Sequence, residues 1–244
     1  DFKVDVLHVA LNAYALGAGR FKEIVLEWLA KLNPAILSVL STVPPGTTES
    51  FGPNACHSTT RGLHPRLESG LTTIAKHVGG PRAESLAADF MKVGVRCVTH
   101  PRSVATELLH ILNNTHYGIN LIFADEAAEL CREYGVDYMD YLKYTITHNK
   151  GYTALGHERQ VRSVLMPPGG RIGGHCVQQG ATLIPEAKRG PIMARLAGYN
   201  EEGKSAGKKE APAADAAGGG PGTGVPILPV DPRGDSQGGG TGPC

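Results

Sequence analysis

The residues between 4 and 43 restrict the fold more than any other part of the chain. Val4-Asp5-Val6-Leu7-His8-Val9-Ala10 is a short, largely β-branched apolar run, the pattern of a strand covered on both faces. Phe21, Ile24, Val25, Trp28, Leu29 and Leu32 then recur at helical spacing from Arg20 to Leu32, and Pro34 marks the end of that helix. Ala35 to Val43 repeats the buried-strand pattern and closes in the turn Pro44-Pro45-Gly46. Strand, helix, strand in this order implies a parallel pair joined by a right-handed crossover. A further helix from Arg82 to Val93, between strands over Ala75–Val78 and Val95–Thr99, continues the alternation. Residues 1–100 are therefore expected to form part of a doubly wound α/β domain.

No Gly-x-Gly-x-x-Gly stands between a strand and a helix in the chain; Gly17-Ala18-Gly19 is a weak substitute. The opening strand, phosphate turn and helix of such a domain are expected upstream of Asp1. From Ser103 to Tyr134 the pattern is one long helix closed by Gly135, about 45–50 Å at 1.5 Å per residue. Its apolar residues reach most of the way round, so a second subunit or its own domain is expected to cover it. Asp137 to Thr147 reads as another helix. Met166-Pro167-Pro168-Gly169-Gly170 then opens a glycine-rich loop that ends at Cys176. These segments make 101–190 a helical central domain. Residues 191–244 read as a disordered Gly/Pro-rich tail, whose few apolar side chains cannot offset its ordering entropy.

A net charge of +1 with no basic stripe argues against nucleic acid, and no run of eighteen apolar residues suggests a membrane span. Cysteines 56, 97, 131, 176 and 244 lack paired spacing, which argues against disulfides and against a metal site and points to reduced thiols in the cytoplasm.

Four strings carry chemistry. Leu40-Ser41-Thr42-Val43-Pro44-Pro45-Gly46-Thr47-Thr48 places hydroxyls at a strand's C-terminal end, either capping the loop or facing a ligand. Arg61-Gly62-Leu63-His64-Pro65-Arg66-Leu67-Glu68 fits either an anionic or polyhydroxylated ligand or a solvated loop. Glu107, His110 and Asn114 share one helical face with Gly118, as an active-site row or a hydrogen-bonded seam. Finally, Gly169-Gly170-Arg171-Ile172-Gly173-Gly174-His175-Cys176 surrounds a thiol with backbone N–H groups and a histidine, suiting it to act as a nucleophile.

In this order the strings resemble the nucleotide-sugar dehydrogenases of the UDP-glucose/GDP-mannose type. Those enzymes carry Ser-Thr-Val-Pro-x-Gly-Thr-Thr, an Asn-Pro-Glu-like loop, a long helix with Glu-Leu-x-Lys and a downstream Asn, then Gly-Gly-x-Cys. The likeness covers about residues 1 to 185. It implies a Rossmann-type NAD domain, a central helical domain that forms a homodimer through helix 103–134, and a further nucleotide-gripping domain that this sequence does not carry. The activity implied is NAD-dependent oxidation of the C6 alcohol of a nucleotide sugar through a thiol-bound intermediate. The alternative is a non-catalytic or two-electron relative that keeps the fold and binds a sugar nucleotide or a partner.

Carried over, Cys176 is the nucleophile, Asn114 holds the oxyanion or water, Glu68 is the general base, and His110 takes the lysine's place. Thr42, which also helps place the catalytic water, is implied at the cofactor with Ser41, Asn12 and Ala13; Gly173, Gly174, Glu68 and Tyr152 are implied at the substrate. Two departures stand out: His110 itself, and Cys176-Val177-Gln178-Gln179-Gly180 where the family has Cys-x-x-Lys-Asp.

Overall fold

The computed structural model describes residues 4–62, 67–173 and 176–205. Strand β1 (Val6–Val9) leads through a short helix α1 (Ala13–Leu16) into α2 (Ala18–Leu32) and then β2 (Ile36–Val39), with β2 parallel to β1. A third strand, β3 (Ala55–His57), lies parallel to β2. Helix α3 (Leu67–Thr73) precedes β4 (Lys76–Gly79), and α4 (Ala83–Lys92) precedes β5 (Cys97–His100), which is parallel to β4. The five strands form one sheet in the order β1-β2-β3-β4-β5. A single antiparallel pairing, His57 with Gly79, joins its two parallel halves, so the sheet is mixed.

Both faces of the sheet are covered, because successive side chains of a strand point to opposite sides. Leu37 and Val39 pack under α2 with Phe21, Val25 and Val9, whereas Ile36 packs under α4 with Val78, Leu86 and Ala87. Gly80, at a φ of +133°, fits where a Cβ would stand 2.7 Å from the Ala55 carbonyl oxygen, so only glycine suits this approach to β3.

Helix α5 (Ser103–Glu133) is followed by α6 (Tyr138–Ala154), the glycine loop, α7 (Cys176–Thr182) and α8 (Pro191–Ser205). The expectation for α5 is corrected in one respect. Its buried face is built from small and polar residues, among them Ser103, Thr106, Glu107, Thr115, Gly118 and Asp125, with Ile111 and Ile122. Leu109, Leu112, Phe123 and Leu130 are instead exposed. Close approach by neighbouring elements requires small side chains, so the leucines fall on the opposite side.

Disorder beginning at residue 191 is also corrected. Leu196 and Tyr199 of α8 are buried with Ile122, Ile172 and Ala181, enough apolar contact to hold a helix. Residues 206–244 lie outside the described residues.

Candidate functional site

The site forms where the ends of β1 and β2 meet α7. Ser41, two residues beyond β2, accepts from Leu11 N–H at 2.9 Å and donates to the Val9 carbonyl oxygen at 3.4 Å. Its hydroxyl therefore fixes the strand ends together, and its neighbour Thr42 lines the hollow they enclose. Asn12 caps α1 by accepting from Ala15 N–H at 3.0 Å. Asn12, Ala13, Thr42 and Cys176 line one cavity of about 190 Å³, with Leu11, Tyr14 and Gln179 beside them. Cys176 is exposed at the first residue of α7. A second hollow of about 180 Å³ shares Ala13, Tyr14 and Leu183 with the first and continues to Gly17 at the start of α2.

Two carboxylates that are absent from the cavity anchor the segments beside it, the turn that follows Thr42 and the loop that precedes Cys176. Glu107 accepts from the backbone N–H groups of Gly46 at 2.5 Å and Thr48 at 2.8 Å, drawing the turn after β2 onto α5. Burial pushes its carboxyl above the usual range, opposed by these hydrogen bonds. Asp125 accepts from Gly169 N–H at 3.0 Å and Gly170 N–H at 2.6 Å, and also from the Tyr199 hydroxyl. Asn200 completes the anchorage: it accepts from Ile172 N–H at 2.8 Å and donates to the Ile172 carbonyl oxygen at 3.1 Å. Helix α8 thus clamps the loop that leads to Cys176. Neither acid was read as an anchor from the sequence; the available signal was a carboxylate within an otherwise buried helical face.

At Gly118 a Cβ would come within 2.6 Å of Val177 Cγ1 and 2.8 Å of Leu196 Cδ1. The space that the sequence left for a ligand or for close packing is occupied by α7 and α8. Asn114 stands one turn earlier on α5 and donates through Nδ2 to His110 Nε2 at 3.2 Å. Burial, then the Arg61 charge, lowers the His110 pKa and favours a neutral ring. His57 was overlooked as a structural centre. It is fully buried between the Thr106 hydroxyl at 2.9 Å and the Ser41 carbonyl oxygen at 3.2 Å, and burial pushes its pKa down to about 3.

Glu68, Tyr152, Gly173, His110 and Asn114 are not brought to the Cys176 cavity. Glu68 is exposed in the first turn of α3. Tyr152 packs its ring, tilted, against His148 within α6 at 4.5 Å between ring centroids. Gly173 is exposed with open space beside it, and Gly174 lies outside the described residues. His110 and Asn114 form a pair of their own and do not line this cavity. Among the described residues no cluster of His, Cys, Asp or Glu is arranged to hold a metal ion, and no helix is long and apolar enough to cross a membrane.

A doubly wound α/β unit with a hollow at the carboxyl ends of its strands is the arrangement in which dinucleotides bind. The chain resembles the nucleotide-sugar dehydrogenases in both sequence and fold. No family model matches it. It is 26% identical over 171 residues to UDP-N-acetyl-D-mannosamine dehydrogenase of Methanococcus maripaludis, covering 66% of this chain and 37% of the relative. The Escherichia coli K12 enzyme of the same name is 24% identical over 179 residues, covering 71% and 38%. The chain therefore spans well under half the length of these curated relatives. Among solved structures, the UDP-D-ManNAc dehydrogenase of Pyrococcus horikoshii superposes with a TM-score of 0.65 at 20% identity, over 83% of this chain and 51% of that one. A 3-hydroxyisobutyrate dehydrogenase of Mycobacterium tuberculosis gives 0.57 at 15% identity, over 85% and 75%. At such identities the structural likeness establishes the fold alone.

Proposed function

We propose that the chain carries the thiol site of an NAD-dependent nucleotide-sugar dehydrogenase that oxidises the sugar's C6 alcohol. The observation that carries this reading is the single cavity that joins Cys176 to Thr42, Asn12 and Ala13. Its composition suits the nicotinamide end of a dinucleotide: Leu11, Ala13 and Tyr14 offer apolar walls for a flat ring, and Asn12 and Thr42 offer polar groups for an amide. When bound, that cofactor supplies a hydride acceptor. The exposed thiol of Cys176 would add to the carbon of the aldehyde that two-electron oxidation of the C6 alcohol yields: an S–C bond forms, the carbonyl π bond breaks, and the thiol proton passes to the oxygen. The clamp formed by Asp125, Tyr199 and Asn200 keeps the loop before Cys176 in place during this step.

The test is NADH formation by the full chain with UDP-N-acetylmannosamine or UDP-glucose. Cys176→Ser is expected to lower the rate at least a hundredfold; undiminished turnover refutes the role of the thiol.

A second reading, a two-electron or non-catalytic relative, is favoured by the two glutamines of α7. Gln178 donates to the Ala197 carbonyl oxygen at 3.1 Å and accepts from Asn200 at 2.7 Å, so its amide is committed to α8. Gln179, which does line the cavity, cannot accept a proton as a base. On this reading a nucleotide sugar binds, but thioester hydrolysis is absent and no carboxylate product forms.

The exposed row of Leu112, Phe123 and Leu130, flanked by Leu109, supports a homodimer through α5. Leu112→Glu is expected to yield monomers in sedimentation at micromolar concentration; a wild-type monomer under the same conditions refutes the dimer.

A further inference from the structure

A second cavity, of about 400 Å³, shares no lining residue with the one at Cys176. Thr59 and Arg61 reach it from the loop after β3, His77 from β4, and Thr106, His110 and Asn113 from α5. Leu109 and Leu112 form an apolar lip. Among the described residues every ionisable side chain on its wall is a base, and no carboxylate lines it.

The surrounding groups deepen this imbalance. From β5, His100 places Nε2 2.8 Å from His77 Nδ1, with the two rings stacked at 5.1 Å. From β4, Lys76 donates to the Thr59 carbonyl oxygen at 3.2 Å and lies 5.0 Å over the Phe90 ring. His57 of β3 is enclosed by Ser41 and Thr106. Glu107, the acid on the neighbouring turn of α5, is directed to Gly46 and Thr48 instead. Among the described residues Arg61 forms no ion pair with a carboxylate. A guanidinium is permanently charged and carries five donors in a fork that matches an oxyanion. Held in a hollow with two imidazoles and no acid, it has strong electrostatic reason to take an anion.

We propose that this cavity is a binding site for a tetrahedral oxyanion of the phosphate class, in which Arg61 supplies fixed charge and His77 and His110 take up protons as the anion enters. The imidazoles are poised for this. Burial, with His100 and Arg61 as further causes, lowers His77, and burial with Arg61 lowers His110, so both rings favour the neutral state before an anion arrives. Entering negative charge reverses the Arg61 effect. His77 can take up one proton and keep its 2.8 Å bond to His100. His110 can hold another once the Asn114 amide turns its oxygen towards the ring. Proton uptake makes affinity rise as pH falls, by about tenfold per pH unit for each proton bound.

The experiment uses the full chain and calorimetric titration with sulfate, a probe whose own charge does not change between pH 8 and pH 6. Expected are saturable binding at least tenfold tighter at pH 6 and a heat that varies with the buffer's ionisation enthalpy, the sign of proton uptake. Arg61→Gln should weaken binding at least tenfold at both pH values, and His77→Asn should shrink the pH effect. Cys176→Ser should leave sulfate binding unchanged, which separates this site from the thiol chemistry. Inorganic phosphate against a nucleoside monophosphate then distinguishes a free anion from a phosphoryl group on a larger body. Should a variant misfold, sulfate must still move the wild-type His77 and His110 imidazole resonances. Absent or pH-independent binding, unmoved resonances, or full binding by a folded Arg61→Gln protein each overturn the proposal.

Discussion

Gly118→Ala adds one methyl group at the place where three helices meet, and its cost can be worked from the contacts. The new Cβ would lie 2.6 Å from Val177 Cγ1 and 2.8 Å from both Leu196 methyl carbons. Such distances require a shift, and neither neighbour yields readily: Val177 is β-branched on a helix, where one rotamer dominates, and Leu196 is fully buried. Overpacking of this kind costs about 1–3 kcal/mol. Against it stands the gain of about 1 kcal/mol for replacing glycine by alanine within a helix. With three contacts under 3.0 Å the cost falls in the upper part of its range, leaving a net loss of about 1–2 kcal/mol. For a chain of this size that corresponds to a melting temperature lower by about 2–8 °C. Gly151→Ala is the matched control, since Gly151 also lies within a helix, α6, but has nothing within 4 Å of its added Cβ. It should be stabilised by about 0.5–1 kcal/mol. Urea denaturation of both variants beside the wild type measures the contrast. A Gly118→Ala protein as stable as Gly151→Ala would refute the three-helix contact, and with it the placement of α7.

Removing the Tyr199 hydroxyl by Tyr199→Phe takes one hydrogen bond from the Asp125 carboxylate and leaves those from Gly169 and Gly170. A loss of about 1.5–3 kcal/mol is expected by urea denaturation, the range for a bond to a charged group, and no loss would show that α8 does not clamp the loop. His57 makes stability depend on pH in a defined direction: its folded pKa of about 3 lies below the ordinary 6.5, so its contribution is complete above pH 6.5 and is lost as pH falls towards 3. Between pH 7 and pH 5 this amounts to about 2 kcal/mol, and His57→Asn should lose that much less than the wild type over the same interval. Equal losses in the two proteins would show that His57 is not held neutral.

The alternation of strand and helix was legible because each buried strand and amphipathic helix carries its own period. β2 reads plainly from Ile36-Leu37-Ser38-Val39, and α4 and the long α5 lie within two residues of their expected ends. β3 was not legible: its three residues, Ala55-Cys56-His57, are too few to show a period, and Gly52-Pro53-Asn54 before them signals only a turn. Helix α8 was hidden differently. Gly198 and the glycine-rich sequence beyond dilute its composition, while its stability comes from Leu196 and Tyr199 meeting residues far away in the chain. The same distinction divides the site. Cys176 and Thr42, which line one cavity, could be singled out as candidates from the sequence, since glycines beside a thiol and hydroxyls at a strand end are local patterns. Glu107 and Asp125 could not be assigned their roles, because each binds backbone N–H groups between 44 and 61 residues away. The row of polar side chains that periodicity places on one helix is therefore two kinds of group. Glu107 anchors the turn that follows Thr42, whereas His110 faces a basic hollow that does not include Cys176. That separation is the strongest reason to test the anion site and the thiol site independently.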